Sequence, residues 1–214
     1  MRQILTFHHY APQLGHNKTK AEAAGDRMHA VVISQLASTY SRKGADIGRK
    51  MLTVAAIANV ARWTAQRSIS ITDIELDGLS IVEDDSVPFG ALWKLEFKRL
   101  KNQGLPVGFP ILPDMENIYG CPSLAVALQL LVNEPELRAH VKEYGVEETC
   151  FFPAFTHGNK PDFKTHMQTE RVTEGLKEAA GACHANYNPS AHSGRHSLAS
   201  RSIRRSMSSS NNRV

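Results

Sequence analysis

At 214 residues, the chain is long enough for one domain with a proper hydrophobic core. Its composition, 42% hydrophobic and 21% charged, is that of an ordinary soluble globular protein, and a formal charge of +4 is too modest to identify a nucleic-acid binder by itself. The three cysteines form no CxxC pair, and the longest apolar run, Leu52 to Ala61, is about half a bilayer span, which excludes a disulfide framework and a transmembrane protein. We expect an intracellular protein, nuclear or cytoplasmic, with reduced thiols and no signal peptide.

The N-terminal half of the chain is predicted to be helical. Residues 20–40 have apolar positions with the spacing of an amphipathic helix. After a polar break, Asp46 is predicted to cap a second helix that continues through Trp63. This second helix is rich in alanine, so we expect it to be packed closely on several sides.

The middle of the chain, between Ile69 and Leu112, changes to an alternation of apolar and polar residues that is typical of half-buried strands. Asp77-Gly78 is a tight-turn signal and is predicted to join two such strands. Asn102-Gln103-Gly104 marks another turn, and a strand is predicted to return over residues 107–112. The pattern predicts a small antiparallel sheet.

The C-terminal half returns to helical patterns. A buried helix is predicted to begin with Ser123 as its N-cap and to end before Pro135. Residues 150–153 look like a short apolar connector, residues 165–183 are helical in pattern, and a further helix is expected to start at residue 190 or 191. Helices, a sheet insert and further helices make an α+β domain with mainly helical packing.

The domain boundaries follow from the ends of these patterns. Residues 1–19 lack periodicity and are assigned to a tail or a linker remnant. The domain is predicted to cover residues 20–207, and residues 208–214 to form a low-complexity, disordered tail.

A histidine and several arginines indicate phosphate chemistry. His192 and Arg195 are three residues apart, so on a helix they share one face, where the guanidinium supplies two donors and the imidazole a further donor or a proton. Arg62, near the end of the alanine-rich helix, is a candidate to join them. Two arginines on the non-bridging oxygens of a phosphodiester would neutralise the charge that develops as the phosphorus becomes five-coordinate. Further arginines follow with no acid among them: Arg201, Arg204, Arg205 and Arg213.

These residues carry a family resemblance. The segment His192-x-x-Arg195-His196-Ser197-Leu198-Ala199 resembles the second conserved box of tyrosine recombinases of the phage-integrase type. Arg62, with Asp73-Ile74 downstream, resembles the first box of that family. Lys101 occupies a predicted turn where the family places a catalytic lysine in a β-hairpin. The order and spacing of the three parts agree with the family over most of the chain.

The resemblance implies the mainly helical catalytic domain with a small antiparallel sheet, and double-stranded DNA as the partner. Family members cut and rejoin DNA strands through a 3′-phosphotyrosine and need no metal or other cofactor. Arg62 and Arg195 would clamp the scissile phosphate, Lys101 would protonate the leaving 5′ oxygen, and His192 would assist proton transfer. Together with Arg62 and Arg195, phosphate contacts are expected from His196 and Arg201. Recombinase-like self-association is expected, and contact with a membrane is not.

The chain also departs from the family pattern. Ala65 stands where the family usually has a glutamate, and Gly194 replaces a hydrophobic residue before the second arginine. The family's nucleophilic tyrosine lies a few helical turns beyond that arginine, a position not matched by Tyr10, Tyr40, Tyr119, Tyr144 or Tyr187. We therefore expect a chain that ends before its nucleophile, and a DNA-binding protein of the recombination and integration type that does not recombine DNA alone. The alternative is a non-enzymatic DNA-binding or interaction module derived from a mobile element.

Simpler interpretations of single residues stay open at this point. Arg62 could cap the carbonyls at a helix end, and Lys101 could be a solvated turn lysine, with Lys98 as a competing hairpin lysine. A zinc site formed by Cys183-His184 with His192 and His196 matches no common finger spacing.

Overall fold

The computed structural model describes residues 31–36, 38, 45–87, 90–98, 106–114, 118–184 and 188–191. Helix α1 is described at residues 31–36 and 38. The later helices are α2 (Ala45–Thr64), α3 (Ser68–Thr72), α4 (Pro122–Tyr144) and α5 (Thr169–Ala182). The strands are β1 (Leu79–Glu83), β2 (Ala91–Phe97), β3 (Val107–Ile111), β4 (Pro153–Phe155) and β5 (Pro161–His166). Helices combined with small antiparallel sheets confirm the expected α+β class.

Helix α2 lies at the centre of the core. Val54, Ile57 and Val60 are fully buried, and the alanines between them are nearly so. The helix contacts α3, α4, α5 and β3, because alanine allows neighbouring elements to approach it closely on several sides. This confirms the expectation from its composition. The prediction that Asp46 caps the helix is wrong, because the helix already begins at Ala45 and so contains Asp46.

The three-stranded antiparallel sheet has the order β1-β2-β3. Leu95 of β2 lies between Leu79 of β1 and Phe109 of β3 and is fully buried, while Ile81 of β1 is 64% exposed. Tight packing is therefore concentrated on β2 and β3. The indole of Trp63 at the end of α2 donates to the carbonyl oxygen of Pro110 at 3.2 Å, which fixes the sheet against the central helix.

The turn signal at Asp77-Gly78 was misassigned to a connection between two strands of this sheet. Leu76–Gly78 form a single 3₁₀ turn that leads into β1. The connection between β1 and β2 instead starts at Asp84, whose carboxylate accepts the backbone N–H of Ser86 at 2.9 Å. An aspartate that binds a backbone group two residues later supports a turn as well as an Asp-Gly pair does. The turn predicted at residues 102–104 lies outside the described residues.

Helix α4 is longer than predicted. Its N-cap is Cys121, whose sulfur accepts the backbone N–H of Leu124 at 3.4 Å. Ser123, the predicted cap, lies inside the helix and donates to the carbonyl oxygen of Ile111. The helix continues through Pro135, which removes only the hydrogen bond to the carbonyl of Leu131, a residue on the exposed side.

The C-terminal part of the described chain contains a hairpin that the sequence did not predict. β4 and β5 pair antiparallel, so Thr165 and His166 belong to a strand and α5 begins only at Thr169. The predicted connector is part of the core, with Phe151 and Phe152 almost fully buried. The helix expected from residue 190 or 191 lies almost wholly outside the described residues. Within the described part of the chain, no helix is both long and apolar enough to cross a membrane.

Candidate functional site

Arg62 lies in the last turn of α2, and only 6% of it is exposed. Its Nη1 donates to the carbonyl oxygen of Gly120 at 3.4 Å, and Asn59, one turn earlier, donates to the carbonyl oxygen of Tyr119 at 3.0 Å. Both carbonyls belong to the short turn Ile118–Gly120, far from α2 in the sequence. Arg62 therefore bonds to a carbonyl outside its own helix. Its charge is always present and is kept in a largely buried place, which requires polar or anionic surroundings.

Helix α2 ends at Thr64, two residues after Arg62. Thr64 donates to the carbonyl oxygen of Val60 at 2.7 Å and accepts the backbone N–H of Gln66 at 3.3 Å, which closes the end of α2. Ala65 then has a φ of 54°, in the left-handed region that residues with a Cβ rarely adopt. As a result, α3 begins at Ser68 close to the end of the helix that carries Arg62.

A second segment is fixed next to the start of α3. Ser68, fully buried, donates through Oγ to the carbonyl oxygen of Ala191, and the backbone N–H of Ala191 donates to Oγ1 of Thr173 at 3.0 Å. Ala191 itself is 7% exposed. Since the next residue in the sequence is His192, these two bonds fix the point from which the His192-x-x-Arg195 segment starts.

The other predicted site residues lie outside the described residues: Lys101, His192, Arg195, His196 and Arg201. Lys101 belongs to the connection between β2 and β3, which pair antiparallel. The competing lysine, Lys98, follows β2 directly, and its Nζ lies 2.9 Å from Oδ2 of Asp77.

The structure also brings together three residues that sequence reasoning missed. One potential ligand atom each from Glu75, Cys150 and His166 lies within 4.8 Å of the other two. Nε2 of His166 is 3.1 Å from Oε1 of Glu75. Burial, reinforced by the carboxylates of Glu75 and Asp162, raises the pKa of the Cys150 thiol to about 12. No short spacing links the three residues in the sequence, so only the fold identifies this cluster. Of the zinc candidate considered from the sequence, the structure describes Cys183, which donates to the carbonyl oxygen of Ala180 at 3.5 Å, and His184, whereas His192 and His196 lie outside the described residues.

Comparison with known proteins includes a solved structure that bears on the fold. No protein-family model matches the chain, and no curated protein matches it significantly. A structure described as the XerH site-specific recombinase bound to difH substrate in a pre-cleavage complex matches with a TM-score of 0.52 and 11% sequence identity. The match covers 87% of this chain and 44% of that one, so this chain spans less than half the length of the recombinase. At this level of identity, the likeness shows that the two proteins share a fold over most of the present chain.

Proposed function

We propose that this protein binds double-stranded DNA through a phosphate site of the tyrosine-recombinase type. Arg62 and Arg195 grip the non-bridging oxygens of one phosphate, and His192 donates a further hydrogen bond. Lys101 approaches the same phosphate from the connection between β2 and β3. His196 and Arg201 contact the neighbouring backbone.

The observation that carries this proposal is the anchoring of Ala191. Its carbonyl and N–H are bonded to Ser68 and Thr173, so the chain is fixed one residue before His192. Ser68 begins α3, a short helix that contacts α2 and follows it after the left-handed Ala65. A His-x-x-Arg helix that starts from this point begins near the end of α2. Convergence of two arginines that are far apart in the sequence is what a phosphate clamp requires.

Two independent features support the same proposal. The overall fold is similar to that of a site-specific recombinase. In addition, β2 and β3 are antiparallel neighbours, so the stretch that contains Lys101 connects the strands of a hairpin, as the family resemblance requires of its catalytic lysine.

The chemistry of these groups favours binding over cleavage by this chain alone. The covalent step that the family resemblance implies uses a tyrosine beyond the second arginine, and all five tyrosines of this sequence precede His192. Ala65 also cannot supply the carboxylate that the resemblance places after the first arginine. We therefore propose a DNA-binding activity in which the arginines neutralise a phosphate without strand cleavage. Incubation with a nicked duplex that traps covalent intermediates is expected to give no adduct on a denaturing gel, and an adduct would contradict this part of the proposal.

The DNA-binding test is a salt series with labelled duplex DNA. Each lost phosphate contact reduces the magnitude of the negative slope of log K against log salt by about 0.9. Arg195→Ala is expected to weaken binding and to make the slope shallower by about that amount. Arg138→Ala is the matched control, because the Arg138 side chain is 82% exposed on α4 and pairs with Glu134 one turn away.

The two variants remove the same charge, so they separate a specific clamp from general basicity. The proposal predicts that only Arg195→Ala changes the slope. If both variants change binding equally, or if the wild type does not bind duplex DNA, the clamp does not exist.

A further inference from the structure

The cluster of Glu75, Cys150 and His166 lies on a backbone network that fixes its three members relative to one another. Glu75 and Cys150 form an isolated antiparallel bridge, flanked by bonds from Leu76 N–H to the Thr149 carbonyl at 2.7 Å and from Phe151 N–H to the Ile74 carbonyl at 2.9 Å. The ligand positions are thus set by main-chain bonds and do not depend on a mobile loop.

His166 is joined to the same network through β5. The N–H of Cys150 donates to the carbonyl of Phe163 at 2.9 Å, and the N–H of Met167 donates to the carbonyl of Phe152 at 2.9 Å. The first bond starts from Cys150 itself, and the second starts from the residue that follows His166. Together they hold the segment that contains His166 beside the segment that contains Cys150. A ligand set held in this way loses little conformational entropy when it binds an ion.

Two polar atoms of the cluster lack partners within the part of the chain that the structure describes. Oε2 of Glu75 and Nδ1 of His166 are both buried and form no hydrogen bond there. Buried polar atoms without partners are uncommon, because each costs free energy when it leaves water. A bound cation would give these oxygen and nitrogen atoms the partner that they lack.

We propose that Glu75, Cys150 and His166 bind a zinc ion. A thiolate, an imidazole and a carboxylate form a mixed sulfur, nitrogen and oxygen set that suits zinc rather than magnesium or calcium. The thiolate and the carboxylate balance the charge of Zn²⁺, and the neutral imidazole adds none. The fourth position is left to water. Ligand atoms around zinc lie about 3.5 Å apart, given bonds of about 2.0–2.3 Å. The three ligand atoms lie within 4.8 Å of one another. Side-chain shifts of about 1 Å would bring them to the spacing around zinc.

The surroundings of the cluster favour a cation and leave it a route inward. Besides burial, the negative charges of Glu75, Asp162 and Asp73 raise the pKa of the Cys150 thiol, which shows that carboxylates surround the sulfur. When zinc binds, the zinc–sulfur bond forms, the S–H bond breaks and the proton goes to bulk water. The side chains of Glu75 and His166 are 22% and 33% exposed, so the ion can reach the site from solvent although Cys150 is buried.

The site would act as a staple between two parts of the fold. Glu75 directly precedes the 3₁₀ turn that leads into β1, and His166 ends the hairpin that leads into α5. Zinc would hold these parts together independently of DNA, so this inference is separate from the proposed function.

The test is titration of the metal-free chain with Co²⁺, which reports thiolate ligation by a charge-transfer band and tetrahedral geometry by visible bands. The wild type is expected to bind one Co²⁺ per chain with both signals, and Zn²⁺ should displace it. Cys150→Ser should lose the charge-transfer band, and His166→Gln should weaken binding at least tenfold, in line with the loss of a direct ligand. Cys183→Ser is the matched control and should behave as the wild type, since Cys183 lies outside the cluster.

Binding without a thiolate band in the wild type, or binding that His166→Gln leaves unchanged, would overturn the proposal. His166→Gln also covers the case in which Cys150→Ser fails to fold, because the His166 side chain is one-third exposed and its replacement leaves the core intact. A thermal scan adds a second readout: at the same Zn²⁺ concentration, the Tm of the wild type and of Cys183→Ser should rise, and that of His166→Gln should rise less.

Discussion

Ala65 has a φ of 54°, and its backbone strain can be measured. A left-handed conformation costs about 1–2 kcal/mol for a residue with a Cβ, and glycine avoids this cost. Glycine also gives the unfolded chain more conformational freedom, which cancels about 0.4–1 kcal/mol of this gain in stability. We therefore expect Ala65→Gly to raise the free energy of unfolding by about 0.5–1 kcal/mol, measured by urea denaturation.

Ala61→Gly is the control for this residue, one helical turn earlier in α2. Ala61 is 1% exposed and lies within the helix, so glycine there should lower the free energy of unfolding by about 1 kcal/mol or more. Opposite signs for the two glycine variants are expected. If both destabilise the protein to the same extent, the backbone at residue 65 is not left-handed in solution.

At the scale of elements, the contact between α2 and α5 depends on one glycine. A Cβ added to Gly175 would lie 3.1 Å from both Cγ atoms of Val54, which is fully buried. Valine in a helix has one strongly preferred rotamer, so its methyl groups cannot turn away easily. The overlap should cost about 1–3 kcal/mol, more than the gain of about 1 kcal/mol in helix propensity. We expect Gly175→Ala to lower the free energy of unfolding.

A double-mutant cycle tests this cause directly. In a Val54→Ala background the obstructing methyl groups are gone, so Gly175→Ala should become stabilising. The expected coupling is about 1–2 kcal/mol, measured by chemical denaturation of the four proteins. A coupling near zero would show that α5 moves away from α2 instead of pressing on Val54.

The burial and length of each element explain which elements could be predicted from the sequence. The alternation of Leu95 and Phe97 with polar neighbours correctly predicted a strand, because one face of β2 is buried in the core. The length of α4 was underestimated, since nothing local indicates that Pro135 lies on the exposed side, where a lost hydrogen bond costs little. The hairpin of β4 and β5 was missed because its strands are short and show no alternation.

At the scale of the whole molecule, the candidate site was only partly predictable. Arg62 was identified by a motif, and the structure adds that it is buried and tied to Gly120. Whether it meets Lys101 and Arg195 stays a prediction. The cluster of Glu75, Cys150 and His166 could not be predicted from the sequence. Its members are brought together by the pairing of Glu75 with Cys150, which belong to distant segments of the chain. Local motifs reveal residues whose spacing is set by one helix, and they miss contacts that depend on tertiary pairing.

The anchoring of Ala191 joins three distant parts of the chain, so its removal should affect DNA binding more than overall stability. Each hydrogen bond from Ser68 and Thr173 contributes about 1 kcal/mol, and losing both should reduce the population of the anchored state roughly tenfold or more. The Ser68→Ala/Thr173→Val double variant should therefore bind duplex DNA about tenfold more weakly, with faster tryptic cleavage in the segment after Ala191. Thr72→Val is the control, because Thr72 is equally buried in α3 and its hydroxyl bonds only locally, to the carbonyl oxygen of Ile69 at 3.1 Å. Thr72→Val removes one such hydrogen bond, so it should lower the Tm and leave DNA affinity unchanged. Equal DNA affinity in the wild type and the double variant would mean that the His192-x-x-Arg195 segment does not need this anchor to reach the phosphate.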